Sequence, residues 1–166
     1  MKITIIGKGR GWQYAPKEGE IWGVNDLCSR RDVDVVFNMH APARKGDLCW
    51  EPSVSYANKN NIPFITLQKL SDVPSSIRYP IEEMHTDYFT NSISYMIAYA
   101  IFKGATQIDL YGCTLWGRAE YAQQKPNVEY WIGYARGKGI KVNIHKKSNL
   151  MKSHDGLVYG YNTQQV

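Results

Sequence analysis

Two glycines near the start of the chain stand where a backbone loop could contact a ligand. Gly7 and Gly9 follow a short apolar run, and Lys8 and Arg10 lie beside them. Because glycine has no Cβ and adopts positive φ, the backbone N–H groups of such a loop can approach a phosphate or a sugar closely. A strand end followed by a flexible glycine turn is an equal alternative, since the dinucleotide-binding fingerprint would require a third glycine where Trp12 stands.

A second polar group, Thr90, Asn91 and Ser92, comes directly before an apolar run that ends at Gly104. These side chains can cap the first turn of a helix, and a run that is apolar on all sides is typical of a helix packed deep against a sheet. The free N–H groups and the positive dipole end of such a helix suit a phosphate. A cap alone and a cap with a ligand contact remain open alternatives.

Four further polar residues follow predicted strands. Asn25 stands after the second strand, His40 follows the third, and Thr114 and Tyr121 come after the fifth. In open α/β sheets ligands bind outside the carboxyl ends of the strands, so we expect Gly7, Asn25 and His40 to converge on one edge if these strands are parallel. For His40, a structural hydrogen bond and a catalytic role both remain open.

The hydrophobic pattern predicts the elements that position these residues. Short β-branched apolar runs indicate buried parallel strands, which need helices on both faces. Pro126 is expected to be the first residue of the last helix, and the stretch 70–84 is expected to be a loop. The predicted strands are residues 3–6, 20–24, 32–38, 62–67, 107–111 and 141–144, and the predicted helices are residues 47–60, 93–102 and 126–135. This order predicts an α/β fold with a mostly parallel sheet.

The composition indicates one globular domain. The chain has 166 residues, 43% apolar and 21% charged, and its net charge of +5 is compatible with anionic ligands. Its basic residues are scattered, so nucleic-acid binding is not expected. No membrane span or signal peptide is predicted, which indicates a cytoplasmic protein, in the host cytoplasm if the gene is viral. Cys28, Cys49 and Cys113 lack CxxC spacing and are expected to be reduced thiols.

The end of the chain is predicted to be separate from the nucleotide-binding domain. We expect residues 1–145 to form that domain and residues 146–166 to form a polar tail. Tyr159 and Tyr161 could place part of this tail as an edge strand or over the ligand site. A tail that is frayed in solution is an equal alternative.

The order of these motifs resembles a known family. The chain has a strand ending in Gly-x-Gly, an Asn after the second strand, a Thr/Ser cap on a buried helix, a strand ending in Tyr-Gly and a downstream Tyr. This order resembles the Rossmann-like group that includes small bacterial CMP-sialic-acid-dependent sialyltransferases and hydroxymethylpterin diphosphokinase-like proteins. The resemblance covers roughly residues 1–145, with ISYMIAYAIFKGATQIDLYG as the nearest match, and implies a single Rossmann-like three-layer domain.

The resemblance implies roles for several residues. Gly7, Gly9 and Asn25 would surround the nucleotide, and the turn at residues 90–92 falls where the sialyltransferases have a Thr-Ser-Gly turn that contacts it. Tyr121 corresponds to a tyrosine that helps the cytidylate leave.

The chain also departs from the family pattern. Asn91 and Ser92 do not supply the family's Gly, and Thr114 stands where relatives often have an acidic residue. The family's downstream catalytic His is absent, with Glu129 or Tyr134 near its place. The lid subdomain is also missing, so sialyl transfer itself is not expected. Similarly short versions resemble uncharacterised bacteriophage proteins, which suggests a phage origin.

Two functional hypotheses of different classes follow. The first is a nucleotide- or nucleotide-sugar-dependent transferase, for glycosyl or phosphoryl/diphosphoryl transfer, in which Tyr121 or His40 assists proton transfer or holds the leaving phosphate. The second is a non-catalytic binder that sequesters a nucleotide-derived small molecule and stacks its base on some of the chain's 12 Tyr and 5 Trp side chains. A nucleotide or nucleotide-sugar donor is expected, and magnesium is possible, since Asp26 and Asp109 could each touch a metal. A partner-binding domain with an unused cleft is a third, less specific reading.

Overall fold

A seven-stranded sheet, parallel throughout, forms the centre of the computed structural model, which describes residues 1–40, 48–153, 156–161 and 163–165. The strand order is β5-β4-β3-β2-β1-β6-β7. The strands are β1 (Lys2–Ile6), β2 (Glu20–Val24), β3 (Val35–Phe37), β4 (Phe64–Thr66), β5 (Ser76–Arg78), β6 (Gln107–Tyr111) and β7 (Lys141–Ile144). The helices are α1 (Trp50–Asn60), α2 (Ser92–Phe102) and α3 (Tyr121–Gly137).

Helices cover both faces of the sheet. Trp22 and Phe37 belong to a core that includes Met96 of α2 and Trp131 of α3, whereas Phe64 belongs to a second core with residues of α1. Two separate cores form because successive side chains of a strand point to opposite faces. The predicted single Rossmann-like α/β domain with three layers is therefore confirmed.

The direction of winding changes at β1. The chain adds β2, β3, β4 and β5 on one side of β1 and then returns to add β6 and β7 on the other side. Ile3 and Ile5 of β1 are fully buried and lie in register with Ile108 and Leu110 of β6. In such sheets a crevice opens where the winding reverses, outside the carboxyl ends of the two strands. The ends of β1 and β6 are therefore where a ligand is expected.

The predicted loop over residues 70–84 is wrong, because this stretch contains the edge strand β5. The Ser76 hydroxyl is buried and donates to the Leu70 carbonyl, and it accepts from the Leu70 backbone N–H at 2.9 Å. Val73 is also fully buried. A three-residue strand with one apolar side chain has no periodicity, so the sequence pattern could not reveal it.

The predicted start of the last helix at Pro126 is also wrong, since α3 begins at Tyr121. Proline removes one bond from the helical ladder but does not end this helix. The fully buried Asn127 holds α3 in place: its side chain donates to the Tyr88 carbonyl at 2.9 Å and accepts from the Thr90 N–H at 3.0 Å. The extra turns bring the first residues of α3 to the crevice.

Other bounds differ less. The strands predicted at residues 32–38 and 62–67 are shorter, and the first predicted residue of α1, Asp47, lies outside the described residues. In the tail, Leu150 is buried and Leu157 forms an isolated antiparallel bridge with Gln164. The division of the chain at residue 145 stays a prediction. The cysteines are free thiols, with Cys28 and Cys113 buried.

Candidate functional site

The loops after β1 and β6 pack backbone against backbone. The Gly7 N–H donates to the Tyr111 carbonyl at 2.8 Å, and the Gly9 N–H donates to the Gly112 carbonyl at 2.7 Å. A Cβ added at Gly7 would lie 2.5 Å from the Gly112 carbonyl oxygen, and one at Gly9 would lie 2.7 Å from the same atom. The two glycines are thus required by the neighbouring loop. Their N–H groups already have partners, contrary to the expectation that these groups face a ligand.

Lys8, in the glycine loop, forms an ion pair with a nearby carboxylate. The Lys8 ammonium lies 2.5 Å from Asp26 Oδ1 and 3.2 Å from Cys49 Sγ. Burial alone would lower the pKa of Lys8, but the contacts with Asp26 and Cys49 outweigh it and raise that pKa. Burial opposes the effect of Lys8 on Asp26 as well, yet the pKa of Asp26 is lowered. The pair is therefore charged at neutral pH.

A cleft of about 420 Å³ opens between these loops and α2, and we call it the α2 cleft. The sequence-predicted residues Gly7, Lys8, Gly9, Asn91, Thr114 and Tyr121 belong to its lining. The remaining lining residues are Val24, Arg30, Ile93, Gly112, Cys113, Leu115, Arg118 and Gln124. The crevice predicted by the strand order is thus present, and its walls come from the loops after β1 and β6, the end of β2, α2 and α3.

The beginning of α2 forms one wall of this cleft. Asn91 is the N-cap, with its side-chain oxygen accepting from the Ser94 N–H at 3.1 Å, and its amide donates to the Gln124 carbonyl at 3.3 Å. The cap leaves the earlier N–H groups of the helix without intrahelical acceptors. Ile93 lines the cleft, whereas Thr90 is exposed and neither Thr90 nor Ser92 is part of the lining. The start of α2 therefore presents a positive dipole end to the α2 cleft.

A second cavity of about 520 Å³ adjoins the α2 cleft, and we call it the basic cavity. Gly9, Thr114, Arg118 and Tyr121 line both spaces and form their common wall. The basic cavity is further lined by Arg10, Trp116, Lys147, Ser148 and Asn149. Beyond Trp116 and Asn149, an outer cavity of about 390 Å³ extends to Lys125 and Ser153.

The charge of the lining has one sign. Lys8, Arg30 and Arg118 line the α2 cleft, and Arg10, Arg118 and Lys147 line the basic cavity. Within the described residues, no Asp or Glu lines either space. Lys8 is paired with Asp26, which is not a lining residue, but the other cations face no lining Asp or Glu among the described residues, and together they create a potential that attracts anionic ligands.

Two predicted residues lie outside these linings. Asn25 follows β2 with a positive φ of 52°, and its buried side-chain oxygen has no hydrogen-bond partner among the described residues. The backbone N–H of His40 donates to the Asn38 side chain at 3.2 Å, and His40 does not line the α2 cleft, the basic cavity or the outer cavity. The predicted convergence therefore includes Gly7 but does not bring His40 to the cleft.

Sequence reasoning missed the cations that follow β6 and β7. Arg118 lies between the β6 loop and α3, and Lys147 follows β7. Neither residue is among the predicted site residues. Their positions just after predicted strands were a usable signal, because the carboxyl ends of parallel strands share one edge.

The fold and this site define a Rossmann-like α/β domain with a basic cleft at the switch point of a parallel sheet. A mutant of the α-2,3/8-sialyltransferase CstII superposes with a TM-score of 0.57 at 14% identity, covering 87% of this chain and 81% of that one. CstII in complex with a trisaccharide acceptor and CMP gives a TM-score of 0.56 at 13% identity, covering 87% and 80%. CstII from Campylobacter jejuni in complex with the substrate analogue CMP-3FNeuAc gives 0.56 at 13%, covering 86% and 79%.

These similarities support the predicted resemblance to sialyltransferases at the level of the fold. Comparisons with protein-family models and with curated proteins find no match. The resemblances to hydroxymethylpterin diphosphokinase-like proteins and to bacteriophage proteins stay predictions, as does the cytoplasmic location. In the described part of the chain, no helix is long and apolar enough to cross a membrane. The same residues contain no group of three His, Cys, Asp or Glu side chains that could hold a metal ion.

Proposed function

We propose that the protein is a nucleotide-sugar-dependent transferase that binds the nucleotide phosphate in the α2 cleft. The observation that carries this proposal is that the start of α2 and the cations Arg30 and Arg118 line one cleft, in which no Asp or Glu of the described residues is a lining residue. A helix N-terminus and cations together favour a phosphate. Structures with the same fold contain CMP and the nucleotide-sugar analogue CMP-3FNeuAc, which supports the same class of ligand.

Several predicted contacts have a place in this proposal. The first N–H groups of α2, after the Asn91 cap, donate to the phosphate. Arg30 and Arg118 neutralise its charge, with a smaller contribution from Lys8, whose charge is shared with Asp26. The Lys8 backbone N–H has no partner among the described residues and is available as a further donor in the cleft.

The reaction assigned to the site breaks the bond between the sugar's anomeric carbon and the phosphate oxygen. The acceptor's hydroxyl oxygen forms the new bond to that carbon, and the nucleotide phosphate leaves with the bonding electron pair. The proton of the hydroxyl passes to the departing phosphate or through water to solvent. Tyr121 and Arg118 stand on the common wall of the two spaces, where a phenol and a guanidinium would stabilise the leaving phosphate. His40 receives no step here, because it does not line the cleft.

A ligand screen tests the proposal. The protein is heated with CMP, CDP, UDP-sugars, CMP-sugars, NTPs or NAD, with and without magnesium or EDTA. A ligand present at about a hundred times its dissociation constant adds roughly 2.7 kcal/mol of stability, which is readily seen as a higher melting temperature. Each stabilising ligand is then incubated with a panel of sugars and analysed by mass spectrometry. Formation of a transfer product is the expected result.

Variants locate the chemistry. Tyr121→Phe and Arg118→Gln are expected to reduce turnover by about tenfold or more, since each removes a donor to the leaving phosphate. His40→Ala is expected to leave turnover unchanged. Lys59→Gln, which removes a charge at the far end of α1, is the matched control. A stabilising ligand that is recovered intact with every acceptor would point to a sequestering protein, and the absence of any stabilising nucleotide would reject both functions.

A further inference from the structure

The basic cavity adjoins the α2 cleft but has lining residues of its own. Its own lining residues, Arg10, Trp116 and Lys147, do not line the α2 cleft, and the start of α2 does not reach it. Its volume of about 520 Å³ lies within the range of small-molecule sites. It meets the α2 cleft at Thr114, Arg118 and Tyr121. A group transferred from one space to the other would pass this common wall.

Most neutral polar groups of the basic cavity are already used by the fold. The Asn149 side chain accepts from the Leu115 N–H at 2.9 Å and donates to the Leu115 carbonyl at 2.7 Å. The Ser148 hydroxyl donates to the Cys113 carbonyl at 2.6 Å. These bonds leave little capacity for binding the hydroxyl groups of a neutral ligand, which need acceptors as well as donors.

The cations of the cavity are much less engaged. Arg118 has an ion pair with Glu120 at 3.5 Å in which both side chains are more than half exposed, so it is weak. Lys147 donates to the Tyr14 hydroxyl at 3.2 Å and lies over that ring, and it forms no ion pair with an Asp or Glu of the described residues. The Arg10 guanidinium has no partner among the described residues. Three positive charges from three separate loops thus converge on one space.

An aromatic side chain completes the cavity. Trp116 is 57% exposed and lines the basic cavity, and Tyr121 lines it from the wall shared with the α2 cleft. An exposed indole is a large flat apolar surface that suits the face of a ring. Cations combined with a flat apolar surface fit a ligand that carries an anionic group next to a ring.

We propose that the basic cavity is the acceptor subsite and that it takes an anionic sugar, whose carboxylate or phosphate binds Arg10, Arg118 and Lys147 while its ring packs on Trp116. Its assignment to the acceptor rests on the proposed transferase function. Binding of an anionic sugar at this place does not depend on that function and can be measured alone.

Titrations with simple probes test the subsite. Binding of D-glucuronate, glucose 6-phosphate and neutral D-glucose is followed by protein NMR through the indole N–H signal of Trp116, assigned with Trp116→Phe. The titrations are repeated at saturating CMP. We expect both anionic sugars to bind with and without CMP and glucose to bind at least about tenfold more weakly, because it lacks the charge-assisted bonds. The stronger of the two anionic probes identifies the carboxylate or the phosphate as the preferred group.

The two spaces allow matched variants. Arg10→Gln and Lys147→Gln are each expected to weaken anionic-sugar binding about tenfold and to leave CMP binding unchanged. Lys147→Arg keeps the charge and is expected to retain binding. Arg30→Gln, which changes the lining of the α2 cleft alone, should weaken CMP and spare the sugar. Melting temperatures verify that each variant is folded.

The outcomes separate this inference from the proposed function. Equal binding of glucose and glucuronate, displacement of the sugar by CMP, or no binding of either anionic sugar would each overturn the anionic subsite, even if CMP binds. Conversely, if anionic sugars bind and respond to Arg10 and Lys147 but no nucleotide binds, the proposed transferase function fails while the anionic subsite stands.

Discussion

The loops after β1 and β6 lie so close together that adding one methyl group to Gly7 tests their packing. In Gly7→Ala the new Cβ would lie 2.5 Å from the backbone oxygen of Gly112, so the two loops must separate. We expect a loss of about 1–3 kcal/mol in unfolding free energy, the usual cost of overpacking. Urea denaturation measures this change.

A matched control comes from the same chemical change at a site with space. Gly133 lies within α3, and a Cβ there would meet nothing within 4 Å. Gly133→Ala is expected to stabilise the protein by roughly 0.5–1 kcal/mol, because alanine loses less conformational entropy in a helix. A Gly7→Ala protein as stable as the parent would show that the β1 and β6 loops can part freely.

Because Lys8 is paired with Asp26, we expect that removing the charge of Asp26 will increase the affinity for CMP. Asp26→Asn removes the charge that holds the Lys8 ammonium, so Lys8 becomes free to bind an anionic ligand. We expect CMP affinity to rise about two- to tenfold, equivalent to about 0.4–1.4 kcal/mol, as measured by calorimetry. Asp87→Asn makes the same charge change at an exposed position and is expected to have no such effect. Weaker CMP binding in Asp26→Asn would mean that Asp26 positions Lys8 for the ligand.

At the scale of elements, the start of α2 allows stability and binding to be separated. Asn91→Asp keeps the oxygen that accepts from the Ser94 N–H and adds a negative charge at the helix N-terminus. Such a charge stabilises a helix by roughly 0.3–1 kcal/mol, but the substitution also loses the donation from the Asn91 amide to the Gln124 carbonyl, so thermal stability should stay within about 1 kcal/mol of the parent. The same charge lines the α2 cleft and should repel a phosphate, so CMP binding should fall about tenfold or more.

Asn91→Ala serves as the comparison for this helix. It removes the cap and should lower stability by about 1 kcal/mol without adding charge. If Asn91→Asp binds CMP as well as the parent does, the phosphate does not occupy the start of α2.

At the scale of the whole molecule, buried thiols limit stability at alkaline pH. Burial raises the pKa of Cys113 to about 12 and the pKa of Cys28 to about 11. An unfolded thiol ionises near pH 8.5, whereas these thiols stay protonated in the folded chain. Their contribution is therefore complete below pH 8.5 and is lost as the pH rises through about 11 and 12. We expect unfolding free energy to fall above pH 9, by at most about 1.4 kcal/mol per pH unit for each thiol.

Comparison of two cysteine variants isolates this effect. Cys113→Ala should flatten the decline in stability between pH 8.5 and 10, as measured by urea denaturation at each pH. Cys49→Ala, at a partly exposed thiol, should change the slope less. Equal slopes in all three proteins would assign the alkaline decline to other groups, such as the buried Tyr79, whose pKa is raised by burial.

Local patterns in the sequence determined much of the fold. β2, β6 and β7 have the predicted bounds, and the cap and apolar run of α2 begin and end as expected. These elements are short strands that contain β-branched residues between turn residues, or a helix with a well-marked cap, so nearest-neighbour chemistry is sufficient to define them. The sequence also predicted that the strands are mostly parallel, because strands of this kind are buried on both faces of a sheet.

Tertiary structure alone decided how the site is built. The contact that makes Gly7 necessary is with Gly112, the charge of Lys8 is held by Asp26, and the cavity cations Arg10 and Lys147 come from opposite ends of the chain. Each of these depends on which strand lies beside β1, and no local pattern encodes that choice. The sequence by itself therefore determined an α/β domain with a glycine loop and a capped helix. The side chains that meet at the cleft were decided by the return of the chain to β6, since parallel neighbours bring together residues that are far apart in sequence.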